Sequence, residues 1–233
     1  MKAALGFLTP FGGASTPTPR AVRWFPVVGL FLGVVLGLAW RGAVELWPAP
    51  VAAALVVTLD LGLTGLLHVD GLVDSADGLL PHLTRERRLD VMQEPTVGAY
   101  GVVVAVAVLL VRFAALSSMH ADIWLLAGLW CLSRTSMVAV MDSLPYARGE
   151  GLASAFVGEG RWAVVPFGAL LASVLVGAAI GWPAVVVVLA CWATVLGVSA
   201  FAARRLGGFT GDVIGAVAVL AETVGLVVAA AKW

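Results

Sequence analysis

Long apolar runs alternate with short polar segments along most of this chain. A helix needs about 20 residues to cross the hydrocarbon core of a bilayer, and the runs approach that length. Gly and Pro mark most of the boundaries between runs. The pattern predicts about seven transmembrane helices. The predicted spans are Phe25–Trp40, Val51–Leu67, Gly98–Met119, Ile123–Met141, Trp162–Ile180, Trp182–Ala203 and Val213–Ala231.

The composition indicates a membrane protein and excludes an ordinary soluble domain. Hydrophobic residues make up 61% of the 233 residues and charged residues 12%, with a mean hydropathy of +1.02. Soluble domains are about 45–50% apolar and about 25% charged. The alternating pattern of β-barrel strands is absent, as are internal repeats and linkers. We therefore predict an all-α, polytopic integral membrane helical bundle, surrounded by lipid, that forms one domain over residues 1–233.

The basic residues predict the orientation, because Lys and Arg concentrate on the cytoplasmic side of a membrane protein. With a cytoplasmic N-terminus, ten basic residues lie on the cytoplasmic side and only Arg41 and Lys232 on the other, while Arg112 and Arg134 fall within spans. The N-terminus is therefore predicted to be cytoplasmic. The net charge of zero provides no basic field for nucleic acid. The ten residues are Lys2, Arg20, Arg23, Arg85, Arg87, Arg88, Arg148, Arg161, Arg204 and Arg205.

Three aspartates follow the second predicted span. Asp70, Asp74 and Asp77 are spaced i, i+4, i+7, so on a helix they share one face. Hard oxygen ligands at a water-accessible edge suit Mg²⁺, which retains waters and bridges to substrate phosphates. The alternative is an acidic, solvated helix end without a metal. His68 lies on the opposite face of an ideal helix, so it joins the acids only if the backbone bends near Gly71; otherwise it is a boundary histidine.

A glycine-rich segment, Gly207–Asp212, leads into the last predicted span. Exposed backbone N–H groups at a helix N-terminus favour phosphate binding. Ordinary capping of the helix by Thr210 or Asp212 is the alternative, and this segment alone favours capping. The orientation places Asp212 on the same cytoplasmic side as the three aspartates.

Several charged residues outside this motif are candidates for a polar site. Arg134 and Glu222 lie within spans, where charges are costly unless they are paired or line a polar cavity. They are predicted to form the floor of a polar pocket, or else an internal pair that serves packing only. Arg148 can offer bidentate donors to phosphate, or it is a plain loop arginine. The residues around 83–92 predict a short amphipathic helix on the membrane surface, whose arginines could also simply bind anionic lipid.

Taken together, the motifs resemble those of the cobalamin synthases, the adenosylcobinamide-GDP ribazoletransferases of bacterial inner membranes. The resemblance covers nearly the whole chain, and His68–Gly78 is similar to the family signature HxDGxxDxxDG. One position departs from the family, since Glu94 stands where an aspartate is usual and Thr96 where a basic residue is usual. Further matching segments are Phe7-Leu8-Thr9, Phe25-Pro26-Val27-Val28-Gly29, Gly98-Ala99-Tyr100-Gly101, Ser133-Arg134, Tyr146-Ala147-Arg148, Glu150-Gly151-Leu152 and Gly208-Phe209-Thr210-Gly211-Asp212 through Glu222.

The resemblance implies the last assembly step of the cobalamin nucleotide loop. In that step α-ribazole, or its 5′-phosphate, is joined to adenosylcobinamide-GDP with release of GMP, and Mg²⁺ is the expected cofactor. It implies an active site on the cytoplasmic face of the inner membrane and leaves open whether the chain forms a homo-oligomer. The implied metal ligands are Asp70, Asp74, Asp77, Glu94 and Asp212. The implied catalytic residues are Asp77, His68 and Asp74, and the implied substrate contacts are Arg134, Arg148, Thr210, Gly211 and Glu222.

Two other classes of protein share some of these features. CDP-alcohol phosphotransferases of phospholipid synthesis also place aspartates and glycines at a membrane edge, in the pattern DxxDGxxAR followed by GxxxDxxxD. Here Leu79-Leu80-Pro81 follows Gly78, and neither the Ala-Arg pair nor the second motif is present. A transporter or ion channel would use the charges within the spans, but the acids cluster on one side and no inverted repeat is visible.

Overall fold

The fold is all-helical in the residues that the structure, a computed structural model, describes: 1–13, 18–148, 151, 155–156 and 163–233. This agrees with the predicted helical bundle. Two short 3₁₀ helices, Pro10–Gly12 and Pro19–Trp24, lie before the first long helix. The α-helices are α1 (Lys2–Leu8), α2 (Phe25–Leu46), α3 (Ala49–Thr64), α4 (Leu67–Leu79), α5 (Arg85–Val91), α6 (Ala99–Ser118), α7 (Ile123–Ser143), α8 (Val164–Ile180), α9 (Ala184–Leu206) and α10 (Gly211–Ala229).

Five of the described helices are long and apolar enough to cross a membrane, namely α2, α6, α7, α9 and α10. Helices α3 and α4 pass the same test only as a pair, and they meet at 89°. Helix α8 is apolar but has 17 residues, and the predicted start of its span at Trp162 lies outside the described residues. All seven predicted runs overlap helices, whereas the count of seven spans and the cytoplasmic N-terminus stay predictions.

Helix α7 forms the centre of the bundle, because every residue from Leu125 to Val138 is buried. Helix α2 approaches it along Gly29, Gly33 and Gly37, one residue per helical turn. A β-carbon on Gly37 would lie 2.7 Å from the Cα atom of Ile123 in α7. Small residues on one face let two membrane helices come this close and gain van der Waals contact.

The chain breaks sharply between α3 and α4. Gly65 and Leu66 have φ values of 58° and 64°, the left-handed region that a leucine rarely adopts. The Leu66 amide donates to the Leu61 carbonyl at 2.9 Å, which satisfies the end of α3. The predicted span to Leu67 therefore ends at Thr64. Helix α4 is separate from α3 and carries the three aspartates, and we treat it as lying at the edge of the membrane.

Four buried charges tie α3, α6, α7 and α10 together. Arg112 in α6 lies 2.6 Å from Glu222 in α10 and 3.3 Å from Asp60 in α3. Arg134 in α7 also pairs with Glu222. Two cations and two anions give the cluster no net charge. This is the arrangement expected when ionic groups are kept inside a membrane protein.

Candidate active site

Two glycines bring α4 and α10 into close contact. A β-carbon on Gly71 would lie 2.8 Å from the carbonyl oxygen of Asp212, and one on Gly215 would lie 3.3 Å from the carbonyl oxygen of His68. Any larger side chain at Gly71 would push the start of α10 away. The contact places the acidic residues of α4 beside Asp212, as the sequence predicted when it assigned both to one side.

The carboxylates at this junction act on one another. Asp74 is half-buried, and its pKa is raised to about 7 by burial first, then by the negative charges of Asp212 and Asp70. Arg148 opposes the shift without cancelling it. A cation placed among these carboxylates would favour the ionised form of Asp74 and lower its pKa.

Arg148 is the cation nearest to Asp212 among the ion pairs of the described residues. Its Nη2 atom lies 3.0 Å from Asp212 Oδ2, although the two residues are 64 positions apart. A short backbone bridge sets this contact: the Phe209 amide donates to the Pro145 carbonyl at 2.9 Å, and the Ala147 amide donates to the Phe209 carbonyl at 2.8 Å. The bridge joins the loop after α7 to the loop before α10, so Arg148 and Asp212 are positioned as a unit.

A cavity of about 190 Å³ lies at this junction. Its polar wall includes Asp70, Asp212 and Arg148, and the backbone of Gly211 completes it at the N-terminus of α10. The apolar and aromatic side chains of the lining, which we call the aromatic wall, are Phe7, Leu67, Met137 and Tyr146. The lining therefore combines groups that suit phosphate and cations with groups that suit a flat apolar group.

His68 lines the same cavity as Asp70. The break that turns the chain lies at Gly65 and Leu66 rather than near Gly71, and α4 runs without interruption from Leu67 to Leu79. The His68 side chain is 3% exposed, and neither ring nitrogen has a hydrogen-bond partner among the described residues. A buried polar group without a partner is costly, so these nitrogens are free to meet a group that enters the cavity.

Thr210 caps α10. Its hydroxyl accepts from the Val213 amide at 3.3 Å and donates to Asp212 at 3.2 Å, and the residue is fully buried. Thr210 therefore caps the helix, which was the alternative to phosphate binding, while its neighbour Gly211 lines the cavity. The substrate contact predicted for Thr210 has no support from this arrangement.

Asp77 and Glu94 are engaged elsewhere. The two carboxylate oxygens of Asp77 accept from the amides of Gly98 at 2.7 Å and Gly101 at 2.9 Å, so Asp77 caps the N-terminus of α6. Glu94 pairs with Arg87 at 2.7 Å on the surface. Neither lines the cavity, and their roles as ligand or base stay predictions that compete with these contacts.

Arg134 and Glu222 lie in the buried charge cluster rather than in the cavity lining. Arg134 is 1% exposed and donates to Glu222 and to the Ser133 hydroxyl. Both contacts use Nη1, whereas Nε has no partner among the described residues. The internal pair, which the sequence left as an alternative, is what the structure contains, and Asp60 and Arg112 complete it.

The donor chemistry at the junction suits a hard divalent cation. Asp70 and Asp212 offer carboxylate oxygens in the lining of the cavity. Asp74 lies close enough to both that their negative charges add to burial in raising its pKa. Across the part of the chain that the structure describes, no three His, Cys, Asp or Glu side chains already enclose a metal-sized space. A cation held by two carboxylates, waters and substrate oxygens needs no such cage.

The sequence did not single out the aromatic wall. Tyr146 lies beside Arg148 in a matching segment, and Phe7 begins another, so only the resemblance could have signalled them. Met137 lies one turn beyond Arg134 on α7, and no sequence motif includes it. Glu150 and Leu152, which belong to a matching segment, lie outside the described residues.

Comparison with known proteins identifies one family. The model of the family described as "Cobalamin-5-phosphate synthase" matches residues 1–230. A Prosthecochloris aestuarii protein named adenosylcobinamide-GDP ribazoletransferase is 39% identical over 87% of this chain and 84% of its own length. Proteins of the same name from Pseudomonas syringae and Desulfitobacterium hafniense are 37% and 35% identical; each alignment covers 94% of this chain, with 93% and 91% of the respective relative. No solved structure matches the chain significantly.

Proposed function

The chain belongs to the cobalamin-5-phosphate synthase family, and on that premise we propose that it transfers the adenosylcobinamide-phosphate group of adenosylcobinamide-GDP to α-ribazole or its 5′-phosphate. The products are GMP and adenosylcobalamin or its 5′-phosphate. The observation that carries the proposal is the cavity at the junction of α4 and α10, whose lining combines Asp70, Asp212 and Arg148 with the aromatic wall. We place this site on the cytoplasmic face of the bacterial inner membrane.

In the proposed reaction, a ribose hydroxyl of α-ribazole that is free in both α-ribazole and its 5′-phosphate attacks the phosphorus that bears the cobinamide. The bond from that phosphorus to the bridging oxygen of the diphosphate breaks, and GMP departs with that oxygen. Arg148 would donate to the diphosphate oxygens, and the amide at Gly211 would add the positive end of α10. These groups stabilise the negative charge that the leaving GMP gains.

The proton of the attacking hydroxyl requires an acceptor within hydrogen-bond reach. His68 supports this role because its imidazole lines the cavity and both nitrogens lack partners. Asp74 is the second candidate, since a pKa of about 7 suits proton transfer at neutral pH. Asp77 supports the role least, because its oxygens cap α6.

We propose Mg²⁺ as the cofactor. Two of the carboxylates Asp70, Asp74 and Asp212 would hold it together with waters and substrate oxygens, and when bound it would neutralise diphosphate oxygens. Transport receives no support from the described residues, because Asp60, Arg112 and Glu222 bind one another rather than line a path.

A transfer assay tests the proposal. Purified protein in phospholipid vesicles is mixed with adenosylcobinamide-GDP and α-ribazole, in Mg²⁺ or in excess EDTA, and corrinoid products are separated by chromatography. The expected result is a cobalamin product with an equal amount of GMP in Mg²⁺, and neither in EDTA. Absence of product in both conditions would overturn the proposed reaction, and equal product in both would overturn only the proposed cofactor.

A further inference from the structure

A second and larger cavity lies on the other side of α4. Its volume is about 450 Å³, and α4, α6, α9 and α10 form its walls. The lining is almost entirely apolar, with Leu72 from α4, Val104 from α6, Phe201 from α9 and Leu220 from α10. Gly197 of α9 is exposed at this cavity. The cavity shares none of its lining residues with the site of His68 and Asp212.

One polar atom in this lining has no partner. Ser75 is 4% exposed, and its Oγ atom forms no hydrogen bond with the described residues. Most other serine and threonine hydroxyls in these helices bond a carbonyl three or four residues earlier, as Thr64 and Thr223 do. A buried hydroxyl left alone costs free energy. The Ser75 hydroxyl is thus available to an acceptor that enters the cavity beside it.

Two arginines lie at the end of the cavity formed by Leu79 and Leu80. Arg88 donates to the carbonyls of Gly78 at 2.7 Å and Leu79 at 2.9 Å. Arg205 donates to Leu79 at 2.8 Å and to Pro81 at 3.3 Å. Burial lowers the pKa of Arg88, and the nearby positive charge of Arg205 lowers it further.

These arginines lack an acidic partner. Within the described residues, neither Arg88 nor Arg205 forms an ion pair with a carboxylate. Backbone carbonyls supply only partial negative charge. The Arg205 guanidinium also lies 4.6 Å from the ring centre of Phe201, which lines the cavity. Arg205 is therefore a cation without a carboxylate partner beside the apolar cavity. The unpaired hydroxyl of Ser75 lies one turn of α4 before Leu79, to which Arg205 donates.

We propose that this cavity binds one anionic phospholipid of the surrounding bilayer. An acyl chain occupies the apolar cavity, an ester carbonyl accepts a hydrogen bond from the Ser75 hydroxyl, and the phosphate lies at Arg205. The charge selects an anionic lipid over a zwitterionic one, as basic pockets between membrane helices do. The inference does not depend on the proposed reaction, because binding is measured without substrates.

A substitution at Gly197 is designed to fill the cavity. A β-carbon at Gly197 meets no atom within 4 Å, so the backbone accepts a side chain there. We expect Gly197→Leu to place that side chain in the cavity and to favour the helix. Gly177 of α8 is the matched control, since a β-carbon there also meets open space and it does not line this cavity. Both variants add the same side chain to an apolar helix, and only one blocks the proposed site.

The test is native mass spectrometry of delipidated protein in detergent, titrated with phosphatidylglycerol or phosphatidylcholine. We expect one tightly bound phosphatidylglycerol per chain, at least tenfold weaker phosphatidylcholine binding, and at least tenfold loss of phosphatidylglycerol affinity in Gly197→Leu but not Gly177→Leu. Arg205→Gln should remove the preference between lipids, whereas Arg41→Gln, an exposed arginine of α2, should keep it. Thermal melts of each variant confirm that it is folded.

Three outcomes would overturn the inference. Equal phosphatidylglycerol binding by Gly197→Leu and the unchanged protein would place the lipid elsewhere. Equal affinity for the two lipids would remove the role of Arg205. Displacement of the lipid by adenosylcobinamide-GDP at a stoichiometry of one would make the cavity a substrate subsite instead.

Discussion

Gly71 of α4 lies directly against the backbone of Asp212 at the start of α10: a β-carbon on Gly71 would be 2.8 Å from the Asp212 carbonyl oxygen and 3.0 Å from its Cα atom. This contact brings the acids of two separate helices to one cavity. It also explains why a residue with poor helix propensity stands in the middle of an acidic helix.

Gly71→Ala should therefore damage both fold and site. The added methyl group must push α4 and α10 apart, and overpacking of this kind costs about 1–3 kcal/mol. We expect a lower thermal midpoint and at least a tenfold loss of transfer activity. Gly62→Ala is the control, since a β-carbon there meets open space. An unchanged midpoint and rate in Gly71→Ala would contradict the close contact.

Asp74→Asn should stabilise the protein in EDTA while removing activity. The folded state raises the pKa of Asp74 to about 7, so ionising this carboxyl opposes folding. The penalty is absent below the unfolded pKa, grows as pH rises, and is complete above about 7. Because the side chain is partly exposed, we expect a gain of only about 1 kcal/mol.

Thermal melts at pH 5 and pH 8 check the sign of this effect. The difference between Asp74→Asn and the unchanged protein should be larger at pH 8 than at pH 5. Asp90→Asn, on the exposed side of α5, should show little difference at either pH. A larger gain at the acidic pH would contradict the assigned direction of the shift.

Arg148→Lys tests the role of the guanidinium. Lysine retains the charge but cannot donate in the bidentate geometry that suits phosphate. We expect KM for adenosylcobinamide-GDP to rise about tenfold, while the thermal midpoint changes little. Arg87→Lys is the control, because Arg87 forms an exposed pair away from the cavity. If KM in Arg148→Lys matched that of the unchanged protein, Arg148 would not be a phosphate contact.

Glu222→Gln should destabilise the protein strongly. It leaves Arg134 without a carboxylate and Arg112 with Asp60 alone. Breaking a buried ion pair by removing one partner costs about 3–5 kcal/mol. The double variant Arg134→Met, Glu222→Met should be more stable than Glu222→Gln, because it also removes the arginine that Glu222→Gln leaves without a carboxylate. Arg112 keeps Asp60 in both variants. Thermal melts in detergent rank the three proteins, and the reverse order would show that the cluster does not stabilise the fold.

The sequence predicted features that depend on local spacing or on overall topology, and it missed features that depend on contacts between distant residues. Helical spacing put Asp70 and Asp74 on one face, and the basic residues put Asp212 on the same side, because both signals are local or follow from overall topology. The break at Leu66 was missed, since nothing in the sequence marks a leucine in the left-handed region. The sequence did not predict that Asp77 accepts from the amides of Gly98 and Gly101, because these bonds join residues more than 20 positions apart.

The pairing of Arg134 with Glu222 shows a further limit. Both residues were expected near the site because charges within membrane spans are rare. The sequence could not tell a cavity floor from a closed pair, since that depends on how four helices pack. The aromatic wall of Phe7 and Tyr146 likewise depends on where α1 and the loop after α7 lie in the fold.

The central claim is that acids from α4 and α10 form one phosphotransfer site. Its most direct test is the single-turnover rate of adenosylcobinamide-GDP consumption in Mg²⁺ by Asp212→Asn, with Asp90→Asn as the control. We predict that Asp212→Asn, still folded by thermal melt, loses about 10- to 100-fold in rate, as expected on removal of a group that orients the metal ligands. Asp90→Asn should keep its rate. An Asp212→Asn rate within a factor of three of the control would contradict the claim.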